Sequence, residues 1–181
     1  VPATQRRIGV AGLGRLGQAV CRRLSLLGFP VAGWTRAPRE IDGVKVYAGH
    51  AELQAFLAQT DILVCLLPLT RETAGFLDRR LFEQLPKGAG LVNTGRGRHL
   101  VQDDLRAALD SGQLSGAVLD VTDPEPLPSG HWLWSHSRVI LTPHVASMTQ
   151  PETAVAFVLE TIASHCQGLP LRGLVDRTRG Y

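Results

Sequence analysis

The sequence predicts an α/β fold in which parallel strands form one sheet with helices on both of its faces. Three observations lead to this prediction. Short apolar runs alternate along the 181 residues with segments of helical periodicity. The run at residues 62–66 has no polar alternation, which is typical of a parallel strand covered on both faces. A glycine-rich turn at residues 12–17 joins the first apolar run to the first helical segment.

The predicted elements follow one another along the chain as strand and helix. The strands cover residues 6–11, 30–34, 44–47, 62–66, 90–93, 117–121 and 139–141. The helices cover a segment that follows the glycine turn and then residues 51–58, 101–110 and 149–168. The inward face of the first helix is expected to consist of Leu16, Ala19, Val20, Leu24 and Leu27. A chain of this length fits a single domain with its own core.

Composition and charge narrow the class of protein. A hydrophobic content of 44% and a charged content of 19% indicate a globular protein. No apolar run approaches the roughly 20 residues of a membrane span, and no signal-peptide core follows the N-terminus, so neither a membrane partner nor secretion is expected. The formal charge of +3 comes from scattered basic residues, so no nucleic-acid partner is expected.

The cysteines point to a reducing compartment. Cys21, Cys65 and Cys166 are odd in number, far apart in sequence and set in apolar patterns. They are therefore predicted to be buried, reduced thiols of a cytoplasmic protein. No spacing of His, Cys, Asp and Glu residues indicates a metal site.

The turn Gly12-Leu13-Gly14-Arg15-Leu16-Gly17 carries the first functional signal. In a strand–turn–helix context, Gly12 permits a tight turn and Gly14 lets the backbone approach a pyrophosphate. Gly17 lets the helix pack closely on the strand, so that the phosphates meet the N-terminus of the helix. The pattern predicts a Rossmann-type dinucleotide-binding fold, with an ordinary glycine-rich turn as the alternative.

The end of the second strand favours NADP(H) over NAD(H). An NAD site usually has an acidic residue about 20 positions after the glycine turn, where it binds the adenosine ribose. Here Trp34 and Thr35 are followed by Arg36 and then Arg39, and the first acid is Glu40. The guanidinium groups suit a 2′-phosphate, and the flat ring of Trp34 is expected to support the adenine. Solvated surface arginines are the alternative, and NAD(H) stays possible.

Three residues that follow later strands are candidates for the chemistry. Arg96, Glu125 and His144 each come just after an apolar strand, and the carboxyl ends of such strands face the ligand crevice of an open α/β sheet. Arg96 suits a substrate carboxylate and can polarise a carbonyl group. His144 suits proton donation to the carbonyl oxygen, with Glu125 orienting its imidazole and stabilising the protonated ring. Taken singly, each residue also has a purely structural interpretation.

These motifs together resemble the D-isomer-specific 2-hydroxyacid dehydrogenases, and most closely their glyoxylate/hydroxypyruvate reductase branch. The resemblance runs along the whole chain. It is carried by the glycine turn and by residues 66–73 (LLPLTRET), 92–97 (VNTGRG), 119–127 (LDVTDPEPL), 141–144 (LTPH) and 175–181 (VDRTRGY).

The resemblance implies roles for individual residues. Arg96, Glu125 and His144 would be catalytic. The cofactor contacts would be Gly12, Leu13, Gly14, Arg15, Leu16, Gly17, Trp34, Thr35, Arg36, Leu67, Pro68, Thr94, Gly95, Arg96, Asp120, His144 and Ala146. Asp120 would lie at the nicotinamide amide.

The resemblance also implies an organisation for the protein. The chain would be the dinucleotide-binding domain, residues 1–168, and residues 169–181 would be a tail that returns to an N-terminal substrate domain absent from it. A homodimer formed through this domain is expected, with a small 2-oxoacid as substrate.

Two functions of different class follow from the sequence. The first is an NADPH-preferring reductase of small 2-oxoacids such as glyoxylate and hydroxypyruvate. The second is a non-catalytic nucleotide-sensing or scaffold module of the same fold. The intact set of Arg96, Glu125 and His144 favours the enzyme.

Overall fold

The computed structural model describes residues 2–171 and 173–175. It divides into two compact units, Val1–His144 and Val145–Tyr181. The predicted end of the dinucleotide-binding domain at residue 168 stays a prediction. Of the predicted tail, residues 172 and 176–181 lie outside the described residues.

Within the described residues, the first unit contains a sheet of seven parallel strands in the order β3-β2-β1-β4-β5-β6-β7. The strands are β1 (Ile8–Ala11), β2 (Val31–Thr35), β3 (Lys45–Ala48), β4 (Ile62–Cys65), β5 (Ala89–Asn93), β6 (Leu114–Leu119) and β7 (Val139–Leu141). The strand order reverses between β1 and β4, which is where ligands bind in open α/β sheets. The predicted Rossmann-type fold is confirmed.

The helices are α1 (Arg15–Leu26), α2 (Leu53–Leu57), α3 (Arg79–Gln84), α4 (Gln102–Asp110) and α5 (Pro151–Cys166). Short 3₁₀ helices cover Ala3–Gln5, His50–Glu52, Gly97–His99 and Trp132–Trp134. The sequence patterns missed α3, which spans only 6 residues. Its start is fixed by Asp78, whose carboxylate accepts a hydrogen bond from the Leu81 N–H at 2.9 Å.

The face that α1 turns toward the sheet agrees with the expected one only in part. Val20 and Leu24 pack against the core as expected, and Gly17 and Cys21 are buried beside them. Leu16 and Leu27, in contrast, are 55% and 65% exposed. The cause is Gly17, because a Cβ atom at this position would lie 1.9 Å from the carbonyl oxygen of Gly12. The helix therefore approaches the strand through its glycine, and Leu16 beside it turns outward.

The register of the sheet aligns the carboxyl ends of six strands. Trp34 pairs with Ala11, Ala11 with Cys65, and Cys65 with Asn93. Asn93 pairs in turn with Leu119, and Leu119 with Leu141. The segments that follow these residues therefore begin along one edge of the sheet.

Two of the three cysteines are buried as predicted, and one is not. Cys21 and Cys65 are 0% exposed, and burial raises the pKa of these thiols to about 11 and about 12 respectively. Cys166 is exposed, which corrects the expectation of burial. The apolar pattern that suggested burial belongs to α5, none of whose described side chains is buried.

No helix in the described part of the chain is both long enough and apolar enough to cross a membrane. Across the same residues, no three His, Cys, Asp or Glu side chains gather where they could hold a metal ion.

Candidate active site

The glycine turn after β1 contains two glycines that the fold requires and one that it leaves open. Gly12 has a φ of 101°, and a Cβ atom there would lie 2.6 Å from the carbonyl oxygen of Leu66. Gly17 is equally crowded by the backbone of the turn. At Gly14, in contrast, no atom lies within 4 Å of the place of a Cβ atom. The turn thus fits a group that approaches the backbone at Gly14, ahead of the first residue of α1, Arg15.

The segment after β2 brings positive charge to this turn. The guanidinium Nη1 of Arg39 donates a hydrogen bond to the carbonyl oxygen of Leu13, inside the turn. Arg36 is exposed and lies 3.4 Å from the Glu72 carboxylate. Thr35 is half-buried at the end of the strand. The arrangement fits the phosphate groups of a dinucleotide.

Trp34 does not present its ring as expected. It is only 5% exposed, its ring stacks on Phe76 at a centroid distance of 5.4 Å, and its indole N–H donates to the Gly49 carbonyl oxygen at 2.9 Å. The expectation that this ring supports the adenine is therefore corrected, because the ring belongs to the core. Leu13 is also buried, at 2% exposure, so its backbone is the part that faces the turn.

The loops after β4 and β5 lie side by side. Leu67 is buried, and Pro68 follows it at the same edge. The N–H of Thr94 donates to the Cys65 carbonyl oxygen at 3.2 Å, which ties the two strand ends together. The Leu67 backbone lies beside the glycine turn, because a Cβ atom at Gly12 would be 2.8 Å from its nitrogen. The cofactor contacts of Leu67, Pro68 and Thr94 stay predictions.

The backbone around Arg96 is held by a buried asparagine. The Asn93 side chain is 0% exposed. Its amide nitrogen donates to the Arg96 carbonyl oxygen, and its oxygen accepts from the Gly95 N–H, both at 3.2 Å. The guanidinium of Arg96 is on the exposed side and donates to the Gly95 carbonyl oxygen at 2.6 Å.

A glycine brings the Arg96 loop against the loop after β6. A Cβ atom at Gly97 would lie 2.0 Å from the carbonyl oxygen of Thr122. Only a residue without a side chain allows this contact between two loops. Arg96 and the segment that leads to Glu125 are therefore neighbours.

Asp120 follows β6 and is nearly buried, at 4% exposure. Its carboxylate accepts a hydrogen bond from the Thr142 hydroxyl, and its carbonyl oxygen accepts from the His144 N–H at 3.0 Å. These bonds join the ends of β6 and β7. Asp120 is thus held in place at the edge where the cofactor contact is predicted.

His144 and Glu125 form the pair that the sequence predicted. The imidazole Nδ1 of His144 lies 2.7 Å from the Glu125 carboxylate, and both side chains are partly exposed. His144 has a φ of 54°, the left-handed region that a residue other than glycine rarely adopts. Such backbone strain is often found at functional residues. The pair can hold a proton at Nδ1 and present Nε2 on the opposite side of the ring.

Ala146 belongs to the second unit of the chain. Its predicted contact with a cofactor stays a prediction.

His99 is a residue near the site that the sequence interpretation missed. It is 0% exposed, and its Nδ1 accepts a hydrogen bond from the Arg96 N–H at 3.0 Å. Its Nε2 lies 3.3 Å from the Pro68 carbonyl oxygen. Burial lowers the pKa of His99 below its usual value of 6.5, with backbone hydrogen bonds opposing the shift.

This shift predicts a pH dependence of stability. Below about pH 6.5, the unfolded chain binds a proton at His99 that the folded chain does not, so the free energy of unfolding falls with decreasing pH. His99→Asn removes the titrating group, and its unfolding free energy should fall less steeply between about pH 7 and about pH 5. Urea unfolding at several pH values measures both slopes. Equal slopes would show that the ring is protonated as readily in the folded protein.

Comparison with known proteins identifies the family to which the chain belongs. The family model for the D-isomer specific 2-hydroxyacid dehydrogenase NAD binding domain matches residues 2–146. A structure of a family member from Xanthobacter autotrophicus Py2 in complex with NADPH and MES is 42% identical, with a TM-score of 0.96 over 100% of this chain and 76% of that chain.

Two further structures are similar. The NADPH-dependent glyoxylate/hydroxypyruvate reductase from Sinorhizobium meliloti, in complex with NADP and sulfate, is 41% identical, with a TM-score of 0.94 over 99% of this chain and 58% of that one. A family member from Klebsiella pneumoniae 342 is 47% identical, with a TM-score of 0.89 over 96% of this chain and 56% of that one. The chain thus spans a little over half the length of these last two proteins. The glycine turn, the seven-stranded sheet and the family match agree, and the chain belongs to the D-isomer specific 2-hydroxyacid dehydrogenases, whose NAD-binding domain it contains.

Proposed function

We propose that the full-length protein is an NADPH-preferring reductase that converts small 2-oxoacids, such as glyoxylate and hydroxypyruvate, to 2-hydroxyacids. The observation that carries the proposal is the 2.7 Å pair of His144 and Glu125. The pair lies at the sheet edge where the loop that carries Arg96 begins. An acid–base pair and a cation at the same edge of the sheet are the groups that reduction of a charged 2-oxoacid requires.

The residues around the glycine turn fit a nicotinamide dinucleotide. The open position at Gly14 and the N-terminus of α1 would take the pyrophosphate, and Arg36 with Arg39 would take a 2′-phosphate. Asp120 would bind the nicotinamide amide. When bound, the cofactor would supply the hydride. The structures from Xanthobacter autotrophicus Py2 and Sinorhizobium meliloti, which hold NADPH and NADP, support this choice.

Each residue of the trio has a separate task in the proposal. The guanidinium of Arg96 binds the substrate carboxylate and draws electron density toward the carbonyl oxygen. His144 gives its proton from Nε2 to that oxygen as the carbon is reduced. Glu125 holds Nδ1, keeps the ring oriented and stabilises the positive charge of the protonated ring. The 2-oxoacid thus gains a hydride at carbon and a proton at oxygen and becomes the 2-hydroxyacid.

The direct test is NADPH oxidation by the full-length protein with a series of short 2-oxoacids. We expect turnover with glyoxylate and hydroxypyruvate. Residues 1–181 by themselves should bind NADPH but turn over slowly, because hydride transfer needs a closed cleft that excludes water. A full-length protein that is inert toward every short 2-oxoacid would contradict the proposal and favour a non-catalytic nucleotide-binding module.

The preference for NADPH predicts the effect of Arg36→Ala. Loss of a hydrogen bond to a charged group costs about 1.5–3 kcal/mol, so NADPH affinity should fall roughly 10- to 100-fold. NADH has no 2′-phosphate, and its affinity should change little. Titration of each dinucleotide measures the ratio, with Arg22→Ala, an exposed arginine of α1, as the control. If the ratio of NADPH affinity to NADH affinity is unchanged in the Arg36 variant, Arg36 does not determine the cofactor preference.

We also propose a homodimer, on the strength of the family resemblance. Light scattering during gel filtration of the full-length protein tests it, and a monomeric mass would contradict it.

A further inference from the structure

The hydrogen bonds of His99 determine which of its nitrogens carries the proton. Nδ1 accepts a hydrogen bond from the Arg96 N–H, so it must present a lone pair. The proton is then on Nε2, which faces the Pro68 carbonyl oxygen at 3.3 Å. The ring is completely buried, and its lowered pKa agrees with this neutral form.

The neutral ring connects two loops of the candidate active site. One loop follows β4 and includes Pro68, and the other follows β5 and includes Arg96. The Pro68 carbonyl oxygen also accepts a hydrogen bond from the Thr73 hydroxyl at 2.6 Å. The loop after β4 is therefore held by a second hydrogen bond that does not involve His99. The Arg96 N–H, in contrast, is held by its hydrogen bond to His99 Nδ1. The ring therefore acts mainly on the Arg96 side.

The direction of the Arg96 side chain depends on this backbone. Arg96 has extended dihedrals, φ −143° and ψ 151°. Asn93 binds its carbonyl oxygen and His99 binds its N–H, so the peptide units on both sides of the residue are fixed by buried side chains. We propose that His99 is a positioning residue for Arg96, whose guanidinium it holds in the orientation that binds the carboxylate of the 2-oxoacid.

The proposal rests on the function proposed above, in which Arg96 binds the substrate. A purely structural role would make every substitution of His99 act alike, through stability alone. Two amide variants separate the possibilities. In His99→Asn the side-chain oxygen lies near the place of Nδ1 and can accept from the Arg96 N–H. In His99→Gln the amide nitrogen reaches toward the Pro68 carbonyl oxygen, and the bond to Arg96 is lost.

We expect the two variants to differ in steady-state kinetics of the full-length protein with NADPH and glyoxylate. His99→Asn should stay close to the wild type. His99→Gln should raise the KM for glyoxylate and lower kcat/KM roughly 10- to 100-fold, the effect of a displaced binding group, while NADPH affinity changes little. His136→Gln is the matched control. His136 precedes β7, and its Nδ1 also accepts a hydrogen bond from a backbone N–H, that of Arg138 at 3.2 Å.

Amide hydrogen exchange of the same proteins without ligand provides a second readout. The Arg96 amide should be protected in the wild type and in His99→Asn, and should exchange faster in His99→Gln. Equal kinetics and equal exchange in the two amide variants would overturn the proposal. A wild type that is inert toward 2-oxoacids but protects this amide would overturn the proposed function alone, and would support the part of the inference that concerns the Arg96 backbone.

Discussion

Replacing His144 by alanine in the full-length protein is expected to lower kcat for glyoxylate reduction by roughly 10²- to 10⁴-fold, the usual contribution of a general acid. The reason is that the proton donor is removed while Arg96 and the glycine turn stay in place. NADPH binding should change far less than turnover. Stopped-flow or steady-state measurement of NADPH oxidation checks the effect.

Glu125→Gln should give a smaller loss than His144→Ala, because the ring stays but is no longer held beside a carboxylate. His50→Ala is the control. His50 is an exposed histidine that follows β3, and its variant should keep full activity. A His144→Ala protein with wild-type turnover would exclude this imidazole as the proton donor, whatever the cofactor.

The second large effect is expected at the glycine turn, where two neighbouring glycines should respond differently to the same substitution. A methyl group at Gly17 would lie 1.9 Å from the Gly12 carbonyl oxygen, so Gly17→Ala should destabilise the fold by about 3 kcal/mol or more. Gly14 has open space around its Cβ position and a φ of −68°, which alanine adopts readily. Gly14→Ala should therefore fold normally.

The two variants should differ in cofactor binding as well. Gly14→Ala should lose NADPH affinity roughly tenfold or more, about the effect of one lost hydrogen bond to a charged group. Thermal unfolding and NADPH titration of both proteins measure stability and affinity separately. A stable Gly14→Ala protein with wild-type affinity would show that the backbone at this position does not approach the pyrophosphate.

Much of the fold and the acid–base pair could be predicted because local patterns encode them. Apolar runs locate the strands in the sequence, and a parallel sheet places the residues that follow those strands along one edge. His144 and Glu125 could thus be placed together, although 18 residues lie between them. The glycine turn was equally informative, since the backbone leaves no room for a side chain at Gly12 and Gly17.

The errors arose where contacts between distant residues decide the outcome. Trp34 was expected at the adenine, but Phe76 and the Gly49 carbonyl oxygen hold its ring in the core. The inward face of α1 was predicted only in part, because the helix approaches the strand through Gly17 and turns Leu16 outward. His99 was missed because it has no periodicity or motif of its own. Its position 3 residues after Arg96, between buried segments, was the available signal.

We propose that this chain forms a nicotinamide dinucleotide site that prefers the cofactor with a 2′-phosphate. Separate titrations of NADPH and NADH against the purified protein test it most directly. We predict saturable binding of both, with NADPH the tighter ligand. Failure of both dinucleotides to bind would contradict the account of the glycine turn, and tighter binding of NADH would contradict the roles given to Arg36 and Arg39.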